Sequence, residues 1–77
     1  MQYFKTSQPV PGKGDALIFY ETDDNQTIQR YVTYIPATQE TERVSDPLIK
    51  KLYRPEFLMK SSEEEFLTYW SSPDGGG

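Results

Sequence analysis

Seventy-seven residues with a net charge of −4 make at most one small domain, and a chain this short buries only about 60–65% of the surface its unfolded form exposes. There is no cysteine and no histidine, which excludes disulfides, thiolate metal sites, Ser-His and Cys-His catalysis and ordinary zinc ligation. The acidic balance argues against general nucleic-acid affinity, which rests on neutralising phosphates.

Met1–Thr6 reads as a short strand, and Ser7–Asp15, with two prolines and two glycines, as a loop. In Ala16–Ile35 two runs of β-branched and aromatic residues flank Thr22-Asp23-Asp24-Asn25-Gln26, the pattern of a β-hairpin. Leu17, Phe19 and Glu21 alternate with Ile18, Tyr20 and Thr22. On the return arm Ile28, Arg30, Val32 and Tyr34 share one face, and Gln29, Tyr31, Thr33 and Ile35 the other. Neither face is purely polar, so both sides are expected to be covered, one by helix and the other by loops or a partner chain.

Pro36 ends the arm, and Ala37–Val44 reads as a loose polar connection. Asp46-Pro47 resembles a helix start, with Leu48, Ile49, Leu52 and Tyr53 following at one-face helical spacing until Pro55 stops it. Lys50, Lys51 and Arg54 then suit the C-terminal end of that helix. Glu56–Lys60 is a short strand or extended connector. Ser61 with Glu64, and Ser62 with Glu65, form overlapping capping boxes before the stripe Phe66, Leu67, Tyr69, Trp70. The expectation is an α+β fold over residues 1–73, with a three- to four-stranded antiparallel sheet and two short helices packed on one face, followed by a flexible Gly-rich tail, Asp74–Gly77. The expected core is Phe4, Leu17, Phe19, Val32, Leu52, Phe57, Phe66 and Trp70.

The chemistry is sparse. Glu21, Asp23, Asp24 and Asn25 lack the alternating ligand frame and central glycine of a calcium loop and read as a turn. Glu63-Glu64-Glu65 reads as a capped helix start, and no pair of carboxylates is spaced for acid–base work. No catalytic, cofactor-binding or metal residue is assigned. Eleven aromatic rings, six Tyr, four Phe and one Trp, exceed what so small a core needs, and tyrosine is enriched at protein interfaces. Tyr20, Arg30, Tyr31, Tyr34 and Tyr53 are therefore the candidate partner-binding residues. Gly75-Gly76-Gly77 matches the end of Gly-tailed carrier proteins, but a capped helix and Pro73 precede it where those proteins have a strand.

Tyr3-Phe4-Lys5, Tyr20-Glu21-Thr22-Asp23, Arg30-Tyr31-Val32, Glu56-Phe57 and Ser62-Glu63-Glu64-Glu65-Phe66…Trp70 together resemble a family of small bacterial proteins of unknown function. They share an N-terminal strand, a central hairpin and a C-terminal Glu-Glu-Phe…Trp helix. The resemblance implies this fold and a bacterial or phage origin, and assigns no activity.

By subtraction, the functional expectation is a small non-enzymatic binding protein of the inhibitor, immunity or regulatory-subunit type. It would act through protein–protein contact at the hairpin edges and exposed tyrosines, with homodimerisation through a sheet edge as one form. The alternative is a small-molecule or nucleotide binder whose aromatic pocket is completed by oligomerisation, with Arg30 or Lys51 pairing with an anionic ligand. A Gly-tailed carrier is the third reading. No run of about 20 apolar residues exists to span a membrane, and Met1–Lys5 lacks the character of a signal peptide, so the expected location is the cytoplasm.

Overall fold

The computed structural model describes residues 1–52 and 54–71. Five strands form one antiparallel sheet in the order β4-β3-β2-β1-β5, with β1 Gln2–Val10, β2 Gly14–Thr22, β3 Ile28–Ile35, β4 Glu40–Ser45 and β5 Met59–Lys60. Among the described residues a single helix, α1, spans Glu63–Trp70, and Pro55–Phe57 makes one 3-10 turn. The α+β class holds, with five strands where three or four were expected and, among the described residues, one helix where two were expected.

The Pro/Gly segment Ser7–Asp15 extends both arms of a first hairpin, pairing Ser7 with Leu17 and Val10 with Gly14. Only the tip is a turn, closed by Lys13 N–H donating to the Val10 carbonyl at 3.0 Å, with Gly12 and Gly14 at φ of 80° and 93°. Ala37–Val44 is not a loose link either. After the turn at Pro36–Gln39 the chain pairs with β3 from Ile35↔Glu40 to Arg30↔Ser45.

The second hairpin closes as its turn residues require. The Asp23 carboxylate accepts from the N–H groups of Asn25 and Thr27, both at 2.9 Å, an Asx-type turn. The register slips by one residue between Glu21↔Arg30 and Thr22↔Ile28. That bulge at Gln29 carries Ile28 onto the face of Tyr31, not the face of Arg30 that simple alternation gives.

One sheet face packs against α1: Phe19, Val32 and Phe66 form its core, with Tyr3, Leu17, Leu67, Tyr69 and Trp70 around them. Val32 and Phe66 are 0% exposed. Ser62 caps the helix, its hydroxyl accepting from Glu65 N–H at 3.1 Å. The Glu65 carboxylate turns instead to Ser61 Oγ at 2.6 Å and Lys5 Nζ at 3.1 Å. At the other end Arg43 of β4 donates to the carbonyls of Trp70 and Tyr69, where cations suit the helix dipole.

The opposite face holds Phe4, Ile28 and Leu52, with Tyr20, Tyr31 and Leu58 packed against them. Its cover is the segment 46–52, expected as most of a two-turn helix closed by Pro55 and found as an extended strap. Asp46 N–H donates to the Gln29 carbonyl at 3.1 Å, Ile28 N–H donates to the Lys50 carbonyl at 2.5 Å, and Thr27 bridges to Lys51. These bonds to β3 hold the chain extended, and a two-turn helix has little intrinsic stability to set against them. Asp46 and Arg54 stand at φ of 50° and 51° at either end. Three expected core residues are not buried: Phe57 is 70% exposed, while Leu17 and Trp70 are half-buried.

Candidate functional site

The five candidate partner-binding residues divide between the two faces. Tyr20 and Tyr31 are opposite each other in the β2–β3 ladder, rings 5.9 Å apart and tilted by 45°, under the strap. Arg30 and Tyr34 lie on the α1 face. Tyr53 falls outside the described residues.

Arg30 is committed to the fold. Its Nε and Nη2 donate to the two oxygens of Glu21 at 2.7 and 3.1 Å, and its guanidinium lies 4.7 Å from the Trp70 ring centre and 5.1 Å from that of Phe66. Tyr3 Oη also donates to Glu21, at 2.9 Å. The hydrogen bonds from Arg30 hold the Glu21 carboxyl below its ordinary range, and burial opposes them less strongly. Burial first, then the bond to Glu21, pushes the Tyr3 phenol up to about 12. Tyr34 packs its ring 5.3 Å from that of Tyr69. This cluster fastens the helix to the sheet.

The strap face is different. Between sheet and strap runs a groove of about 680 Å³. Its floor is Ile18, Tyr20, Ile28 and Tyr31, with Thr6 and Gln8 of β1 and Thr33 of β3 alongside. The strap and the turn after it supply the wall: Ile49, Leu52, Phe57 and Leu58, with Lys51 and Arg54 as cations. Glu42 lines it from β4. Burial, and secondarily the neighbouring Tyr31, raises the Tyr20 phenol above its ordinary value, so the Tyr20 hydroxyl stays protonated at neutral pH and offers a donor and an acceptor.

The rim of this groove is apolar and open to solvent. Ile49 is 76% exposed, Phe57 70% and the adjacent Leu48 fully so. Contiguous exposed apolar side chains mark interaction surfaces more often than isolated ones do. Sequence reading found Tyr20, Tyr31 and Lys51. It missed Ile49, Phe57 and Glu42, because it buried the first two in a helix and a core and left the third in a loop. Pro47 at the start of the strap and Pro55 just beyond it were the available signal against a helix long enough to hide its apolar face. Among the described residues no helix is long and apolar enough to cross a membrane. No family model, curated protein or solved structure matches this chain, so its function has to be argued from the groove.

Proposed function

We propose that the chain is a small non-enzymatic binding protein that acts by protein–protein contact, of the inhibitor, immunity or regulatory-subunit type, and that it docks its partner on the strap-face groove. The observation that carries this is the exposure of Ile49 and Phe57 at the mouth of a tyrosine-floored groove. Neither residue contributes to either core cluster; the Phe57 ring carries the Arg54 guanidinium 5.7 Å from its centre, and both side chains stay open to solvent. An apolar centre with aromatic residues and a charged rim is the usual anatomy of a docking surface.

The test is a pull-down from the source organism's lysate with an N-terminal tag, run beside the double variant Ile49→Ser/Phe57→Ser. Both positions are exposed, so the variant should melt within about 0.5 kcal/mol of the parent. The expected result is one dominant, salt-resistant partner held by the parent and lost by the variant. A partner held equally by both would move the docking surface elsewhere, and no partner from folded protein would sink the reading.

One observation favours small-molecule binding as a second reading. The groove volume lies within the roughly 300–1,000 Å³ of ligand pockets, and Lys51 shares it with Tyr20 and Tyr31. Arg30, the other cation considered for that role, faces away and is paired. Thermal stabilisation by a small aromatic carboxylate, absent in Lys51→Ala, would support it; a flat response across a metabolite panel would remove it.

A further inference from the structure

The groove carries charges of opposite sign at its two ends. Lys51 bridges to Thr27 and Glu42 pairs with Thr33. Across the Gln29 bulge those positions face Asp23 and Ile18 of the neighbouring chain, five residues apart, about 16 Å at roughly 3.3 Å per residue. Between them lie Ile28, Tyr31, Tyr20 and Ile18. Arg54 stands in the same wall as Lys51 and adds charge of the same sign. Among the described residues neither Lys51 nor Glu42 is in an ion pair, whereas Lys5, Lys13, Arg30 and Lys50 each are.

Resting on the protein-docking reading, we propose that the groove takes an extended segment of a partner protein about six residues long. That segment places an acidic side chain at the Lys51 end, apolar side chains over Tyr20 and Tyr31, and a basic side chain at the Glu42 end. Charge complementarity fixes its direction: reversed, it would set like charges together at both ends. A space of about 680 Å³ running along a paired strand accepts the side chains of a short extended segment, whose rise per residue matches that of the strand beneath it.

The test is selection of a random peptide display library against the parent, Lys51→Glu and Glu42→Lys. All three proteins are compared by sequence enrichment, and thermal melting checks that the exposed charge swaps leave the fold intact. The parent should enrich peptides with an acidic and a basic residue on either side of an apolar or aromatic centre. Each swap should lower the affinity of the synthesised parent peptide by about tenfold, and a peptide reversed in charge at the matching end should regain it. Enriched peptides that ignore both swaps but are lost with Ile49→Ser/Phe57→Ser would overturn the bipolar segment and leave groove docking standing. Peptides indifferent to that double variant as well, or no enrichment, would overturn both.

Discussion

Glu21 is 7% exposed and charged, a combination tolerated because three hydrogen bonds from Arg30 and Tyr3 reach its carboxylate. With the folded-state pKa depressed by Arg30, the unfolded chain takes up the proton first as pH falls. The stability this cluster contributes is therefore complete above the ordinary carboxyl range and is lost as pH drops through the depressed value. Glu21→Gln removes the charge and leaves Arg30 over Trp70 without its counterion. We expect a loss of about 2 kcal/mol at pH 7, measured by urea unfolding, and a difference from the parent that shrinks toward pH 3. A difference constant with pH would mean that Glu21 acts by shape alone. Tyr3 runs the opposite way: its phenol stands at about 12 in the fold, so its contribution is complete below its ordinary value near 10 and lost as pH rises through 12.

At the scale of elements, local chemistry and long-range pairing can be told apart. The central hairpin was legible because turn residues and flanking strands agree. Asp23 makes the turn that Asp is suited to, yet Gln26 stands at φ 62°, which disfavours a residue with a Cβ by roughly 1–2 kcal/mol. Against the roughly 0.5–1 kcal/mol of extra chain entropy that glycine loses, Gln26→Gly should stabilise by about 0.5 kcal/mol and raise Tm by roughly 2–4 °C; an unchanged or lower Tm would show that the turn is not strained there. Helix α1 was legible from its caps and stripe, although Glu65 serves Ser61 and Lys5, not the Ser62 amide. What sequence could not show was set by pairing across distance. β4 has charged or polar residues on both faces because an edge strand is held by backbone bonds and needs no apolar face. The strap has helix-like signals, but the Gln29 bulge offers it a carbonyl and Ile28 an amide, neither visible from the strap's own residues. The bulge at Gln29 also brings Ile28 into the groove beside Tyr31, whereas the separation of Tyr31 from Arg30 and Tyr34 follows from strand alternation and was legible.

At the scale of the whole molecule, both long edges of the sheet are blunted, which shifts association toward the groove face. The Tyr3 carbonyl accepts from Ser61 N–H at 2.9 Å, so alternate residues of β1 (Lys5, Ser7, Pro9) aim backbone groups at that outer side. β5 covers only Phe4 and Lys5, and at the next outward positions Pro9 has no N–H to give. On the other edge, a two-fold axis normal to the sheet keeps every residue on its own face, so opposite residues must share a face. Centred on Glu42 such pairing sets Glu42 against its counterpart, and centred on Arg43 it sets two arginines together, each a repulsive cross-strand pair. The expected state is thus a monomer of 8.9 kDa by sedimentation, and Pro9→Val, which restores the missing donor on an uncharged edge, should self-associate more than the parent at equal concentration. A parent that is already dimeric, and whose dimer survives Ile49→Ser/Phe57→Ser, would mean that a sheet edge pairs despite these features and that the groove is not where this chain meets its partners.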